Sequence, residues 1–161
     1  ARMGYSLESS NREILAAMNK HITVEQFENT TELMHKAGIT PVTSLVIGFP
    51  QETPQTILET FEVCARNGIY PSAGFLLPQP GSFMYDYAIQ HGFIHDEEDY
   101  LLRMGDRQDL RLNMTSMSDS EMEGAVLEGL RLCNKALGLD LPEGSLIKTQ
   151  YYRTSTKKGN H

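Results

Sequence analysis

Cysteine is scarce in this 161-residue sequence: the two present, Cys64 and Cys133, lie far apart within helical patterns. That spacing excludes a disulfide framework and a metal knuckle, which need clustered cysteines. It reads instead as reduced, buried thiols in a cytoplasmic protein. Basic residues are also in the minority, with 14 Lys and Arg against 21 Asp and Glu and a net charge of −7. A chain of that sign does not live by gripping nucleic-acid phosphates. No apolar run approaches the ~18 residues of a membrane span, and nothing at the start resembles a secretory leader. The expected setting is cytoplasmic, with neither a membrane nor nucleic acid as partner.

What is present centres on Val42–Pro54. An unbroken apolar run, Leu45-Val46-Ile47, leads through Gly48-Phe49-Pro50 to Thr53 and Pro54. A strand without polar alternation is covered on both faces, as in parallel α/β sheets. Thr53 is a natural N-cap and Pro54 a natural first helical residue. The turn therefore sits at the C-terminal end of a strand, where α/β proteins bind their ligands.

The flanking sequence repeats this unit. Met3–Glu8 reads as a strand, and Ser10 with Glu13 as a capping box opening a helix through Ile14, Leu15 and Met18. Thr23 with Gln26 opens a second helix, closed by Gly38. Ile39–Ile47 is the next strand, and a helix carrying Ile57, Phe61 and Cys64 on one face ends at Gly68. Ile69–Pro78 is a third strand, followed by the Pro78-Gln79-Pro80-Gly81 turn and a short helix capped by Ser82. Connections of this length imply right-handed crossovers and a parallel sheet. Asp96–Met104 reads as an acidic helix and Gly105–Ser116 as irregular. Ser118 with Glu121 caps a last helix that ends at Gly138.

Three such units are too few for a closed barrel of about eight. The expected fold is α/β: half of a partial, TIM-like (β/α)6 barrel, with three parallel strands and their helices, then a helical C-terminal extension. Residues 1–92 form the half-barrel, 93–149 the extension and 150–161 a polar, basic tail. The abrupt start on a core-type strand predicts a fragment.

The segments Gly4-Tyr5-Ser6-Leu7-Glu8-Ser9-Ser10, Met18-Asn19-Lys20, Lys36-Ala37-Gly38-Ile39, Ile47-Gly48-Phe49-Pro50-Gln51-Glu52-Thr53 and Leu77-Pro78-Gln79-Pro80-Gly81-Ser82 occur in that order. Together they resemble the radical S-adenosylmethionine (radical SAM) enzymes. The likeness is greatest to the branch associated with cobalamin-binding domains, which includes Mg-protoporphyrin ester cyclase-like proteins and methyltransferases; methylthiotransferases share the general pattern. The resemblance implies an iron-sulfur oxidoreductase or methyltransferase of which this chain holds the later strands. In the complete enzyme a [4Fe–4S] cluster would reduce S-adenosylmethionine to a 5′-deoxyadenosyl radical that abstracts a substrate hydrogen. The three-cysteine cluster loop is absent from this chain, and Cys64 and Cys133 cannot replace it. The chain alone is therefore expected to be inactive, its partner being the N-terminal half of the same polypeptide. Cobalamin is a possible further cofactor.

The resemblance also assigns residues. Glu8, at the first strand's tip, takes the ribose, with Ser9 or Ser10 as helpers; the alternative is that Ser10 only caps the next helix and Glu8 is a solvated edge charge. Val46 and Gly48 let adenine approach the central strand, though core packing explains Val46 equally well. The family's GxIxGxxE form is altered here: Ser44 stands at the first glycine, Val46 at the isoleucine and Gln51 at the acid, with Glu52 one step later. Leu76, Leu77 and Pro78 add adenine contacts, while Gln79 and Tyr85 face a small-molecule substrate. No catalytic side chain and no metal ligand is assigned. His91 and His95 have ligand-like spacing, but Gly92 lies between them and no third ligand follows. His21 and His35 read as helix-surface residues.

Other classes stay open. A non-catalytic half-barrel module for binding or assembly fits the count of strands, as does a methylthiotransferase-type radical SAM protein. A phosphate-ester barrel fits less well, because Pro50 removes a donor from the turn. In each case a bare sheet edge predicts a homo-oligomer.

Overall fold

Among the described residues four short strands form two two-stranded parallel sheets, not one three-stranded sheet, along three passes of the chain. β1 (Arg2–Gly4) pairs with β2 (Thr40–Val42), and β3 (Ser44–Ile47) pairs with β4 (Ser72–Phe75). The structure, a computed structural model, describes residues 1–147. The tail expected over 150–161 lies outside the described residues.

The expected strands are shorter than the apolar runs. Met3–Glu8 pairs only over Arg2–Gly4 and again at Glu8, which bridges to Leu45. Ile39–Ile47 is split at Thr43, whose hydroxyl accepts the Leu7 N–H at 3.0 Å. A side chain thus takes the place of a ladder carbonyl, and the middle pass becomes two strands rather than one. The third pass, expected over Ile69–Pro78, pairs only over Ser72–Phe75.

Six helices follow the capping logic closely: α1 (Arg12–Ala17), α2 (Val24–Lys36), α3 (Pro54–Arg66), α4 (Phe83–Gln90), α5 (Glu97–Arg103) and α6 (Asp119–Leu137). Thr23 with Gln26 and Ser118 with Glu121 form reciprocal capping boxes, and Thr53 caps α3 with Pro54 in its first turn. The first cap differs from expectation. Asn11, not Ser10, caps α1, its Oδ1 accepting the N–H groups of Glu13 and Ile14. Asparagine caps as well as serine, and the Ser10 N–H and hydroxyl are both engaged with Thr60. His21 lies in the loop before α2 rather than on a helix; His35 is exposed on α2.

One face of the sheet carries the core. Leu45, Ile47, Ala73 and Phe75 point toward α3 and α6, where they meet Ile57, Phe61, Cys64, Val126 and Leu130. Alternation in a strand sends Ser44, Val46, Ser72 and Gly74 to the other, inner face. α6 lies along α3 at close range because Gly129 has no side chain: an added Cβ would fall 2.2 Å from the Phe61 ring. Replacing Ser118 with alanine removes an N-cap and is expected to lower stability by about 1 kcal/mol, read as a lower urea midpoint.

A segment of the extension, residues 105–111, passes beside β4. The Phe75 N–H donates to the Arg107 carbonyl at 2.7 Å, and Gln108 is buried with its Nε2 donating to the Ile147 carbonyl at 3.3 Å. The sheet edge beside β4 is thus partly covered. β1 is exposed throughout.

Candidate ligand groove at the strand tips

Beyond the C-terminal ends of the strands lies an open groove of about 440 Å³. It brings together Glu8 from the first pass, Val46 from the second, and Leu77, Pro78 and Gln79 from the third. Leu76, Phe49, Met18 and Met84 complete a mostly apolar wall, and Lys20 and Asn19 stand at one end.

Glu8 is the polar centre. Its backbone sits in the left-handed region, at φ 65°, where a non-glycine residue is strained by about 1 kcal/mol or more. It is held there from both sides, its N–H donating to the Ser44 carbonyl and its carbonyl accepting the Val46 N–H, each at 3.2 Å. This twist turns the carboxylate out of the strand and toward the groove. Oε1 lies 3.5 Å from the Lys20 ammonium. Oε2 is buried and has no hydrogen-bond partner among the described residues. A buried carboxylate oxygen without a donor costs roughly 1–3 kcal/mol or more, so a ligand that brings a hydroxyl here gains what the free protein lacks.

The other expected residues stand outside the groove lining. The buried Ser9 hydroxyl accepts the Asn11 N–H, and Ser10 bonds Thr60. Gly48 adopts φ 116°, open to glycine, and its α-carbon packs toward Leu76 and Met122. Tyr85 is buried, donating its hydroxyl to Glu97 at 2.8 Å. That acceptor carboxylate adds to burial in holding the Tyr85 phenol above its ordinary pKa.

Glu52 was not singled out for a role by the sequence. It is 1% exposed, and its Oε2 accepts the Gly48 N–H. Its own N–H donates to the Phe49 carbonyl at 2.9 Å, closing a ring that fixes the turn. Burial pushes the Glu52 carboxyl up to about 7, against the smaller lowering effect of bonds from the Gly48 and Phe49 amides. The available signal was an acid lying between Pro50 and the Thr53 cap, in a turn too short to carry it away from the sheet.

Cys64 and Cys133 are both buried, and burial raises both thiols, Cys133 to about 12. Neither offers a thiolate to a metal. No group of three or more His, Cys, Asp or Glu side chains suited to a metal occurs among the described residues. No described helix is long and apolar enough to cross a membrane.

The model of the Radical SAM superfamily matches residues 1–64. An uncharacterized methyltransferase of Pyrococcus horikoshii is 29% identical over 91 residues, which cover 56% of this chain and 20% of that protein. The chain thus spans about a fifth of that relative's length.

Proposed function

We propose that this chain, whose residues 1–64 match the Radical SAM superfamily model, supplies the nucleoside-binding wall of a radical SAM iron-sulfur enzyme. The observation that carries the reading is the buried Glu8 Oε2 with no donor, at the floor of an apolar groove. A ribose presents two adjacent hydroxyls, and a carboxylate can accept both. Adenine then lies along the apolar side chains of Val46, Leu76, Leu77 and Pro78. Lys20, half exposed beside Glu8, takes the carboxylate of the methionine moiety. Gln79, exposed at the groove's rim, faces the small-molecule substrate. Ser9, Ser10, Gly48 and Tyr85 act one step back: the serines fix the turn after Glu8, Gly48 fixes the turn before α3, and Tyr85 anchors α4 to α5.

Bound S-adenosylmethionine would supply the chemistry of hydrogen abstraction upon reductive cleavage. The residues of this chain do not fit a [4Fe–4S] cluster, since two buried, protonated thiols are neither enough ligands nor the right ones. The cluster-bearing strands are proposed to join at the exposed β1 side, which would otherwise invite self-pairing. Cobalamin finds no support in the groove's residues.

The test is a titration of the chain with S-adenosylmethionine followed by amide NMR. Shifts are expected at Glu8, Val46 and Leu77, and Glu8→Gln is expected to weaken binding by about tenfold or more through loss of charge-assisted acceptors. Unmoved groove amides, or equal affinity in Glu8→Gln, would refute the reading.

A further inference from the structure

Val46 and Gly74 are register partners on β3 and β4, so both face the inner side of the sheet. Gly74 is nevertheless buried, because the side chain of Arg107 lies across it. A Cβ at Gly74 would sit 3.0 Å from Arg107 Nε and 3.2 Å from its Cδ and Cγ. The arginine comes from the 105–111 segment and is aimed by its own backbone, whose carbonyl is fixed by the Phe75 N–H. The buried Gln108 next to it anchors the segment further. Glycine in a strand interior weakens pairing and often marks a close approach of other groups; here it makes room for a cation.

Arg66, Arg103, Arg111 and Arg131 are each paired with a carboxylate, whereas Arg107 has no ion-pair partner among the described residues. One layer below on the same face, Ser44 and Ser72 are register partners, and the Ser44 hydroxyl meets that of Ser6 at 2.8 Å. Leu76, two residues beyond Gly74, lines the nucleoside groove, so the arginine stands roughly 7 Å down the same face. Arg107 is exposed, and a guanidinium held over Gly74, on the face that also carries Ser72 and Ser44, offers the forked donors that carboxylates and phosphates fit.

We propose that Arg107 is a substrate-recognition residue, whose guanidinium, with the Ser72 hydroxyl beneath it, takes an oxyanion of the substrate on the inner face beside the nucleoside groove. The assignment of that oxyanion to the substrate rests on the nucleoside reading, which makes the inner face the substrate side. The substrate class is an organic molecule with a carboxylate or a phosphate ester, and the glycine at position 74 is its structural condition.

The experiment titrates the chain with succinate and, separately, with inorganic phosphate at constant ionic strength, following arginine Nε–Hε resonances. The Arg107 signal is expected to shift saturably with at least one anion, while that of the paired Arg103 stays. Arg107→Gln is expected to weaken that binding by about tenfold or more, and Arg107→Lys to restore part of it. Gly74→Val, which fills the space of the arginine stem, is expected to produce the same loss as Arg107→Gln. S-adenosylmethionine shifts at Glu8 and Val46 are expected to persist in Arg107→Gln. A preference for succinate assigns a carboxylate, and a preference for phosphate a phosphate ester. An Arg107 signal that does not move, or that moves in step with Arg103, would overturn the proposal. A saturable Arg107 response in a chain whose groove ignores S-adenosylmethionine would keep the oxyanion site and defeat the nucleoside reading instead.

Discussion

Glu52→Gln is expected to be more stable than the natural protein at pH 8, by up to about 3 kcal/mol, and nearly equal to it at pH 4. The direction follows from proton binding. In the unfolded chain Glu52 releases its proton near the ordinary carboxyl value of 4.5, whereas in the folded chain it keeps it to about 7. Between those values the native state binds more protons, so stability falls as pH rises and levels off above 7. Glutamine retains an oxygen for the Gly48 amide and carries no charge, so that slope disappears. No charged side chain contributes to the raised value, which burial dominates. Glu52→Ala separates the two effects: it strands the Gly48 N–H and is expected to be destabilised by roughly 1–3 kcal/mol under acidic conditions. Thermal melts of the three proteins from pH 4 to 8 decide the matter. Parallel curves for the natural protein and Glu52→Gln would show that the carboxyl does not titrate there.

The second large effect is at the α3–α6 contact. Gly129→Ala places a carbon 2.2 Å from Phe61 Cδ2 and 2.8 Å from its Cβ, and Phe61 is fully buried. Neither the ring nor its helix can yield without opening the core, so a loss of about 2–3 kcal/mol is expected. The better helix propensity of alanine offsets only about 1 kcal/mol of the gross penalty. Gly129→Leu is expected to leave no folded protein. Pairing Gly129→Ala with Phe61→Leu should recover part of the loss, which would assign it to the clash; additive losses would assign it elsewhere.

The helices were legible because their signals are local. Thr23, Thr53, Ser82 and Ser118 each cap the helix their sequence promised, and the periodic faces of α3 and α6 are the faces they bury. Strand ends were not legible, since pairing depends on residues distant in sequence. Nothing near Thr43 announces that its hydroxyl will take the Leu7 amide and interrupt the middle pass. Ser10 matched the pattern of a capping box, but Asn11 stood one residue closer to the helix and Thr60, fifty residues away, claimed the serine. At the groove, Glu8, Val46, Leu77, Pro78 and Gln79 could be gathered because strand tips of a parallel sheet converge. Glu52 and Arg107 escaped notice for opposite reasons. One is an acid that the turn folds inward; the other is an ordinary surface arginine until Gly74 gives it somewhere to lie.

The bond from Phe75 to Arg107 has a further consequence for how this sheet grows. With that amide occupied, an incoming strand finds its template at the opposite border, next to Arg2–Gly4. Any strand added to the pair would therefore meet exposed residues beside β1 and an occupied amide beside β4.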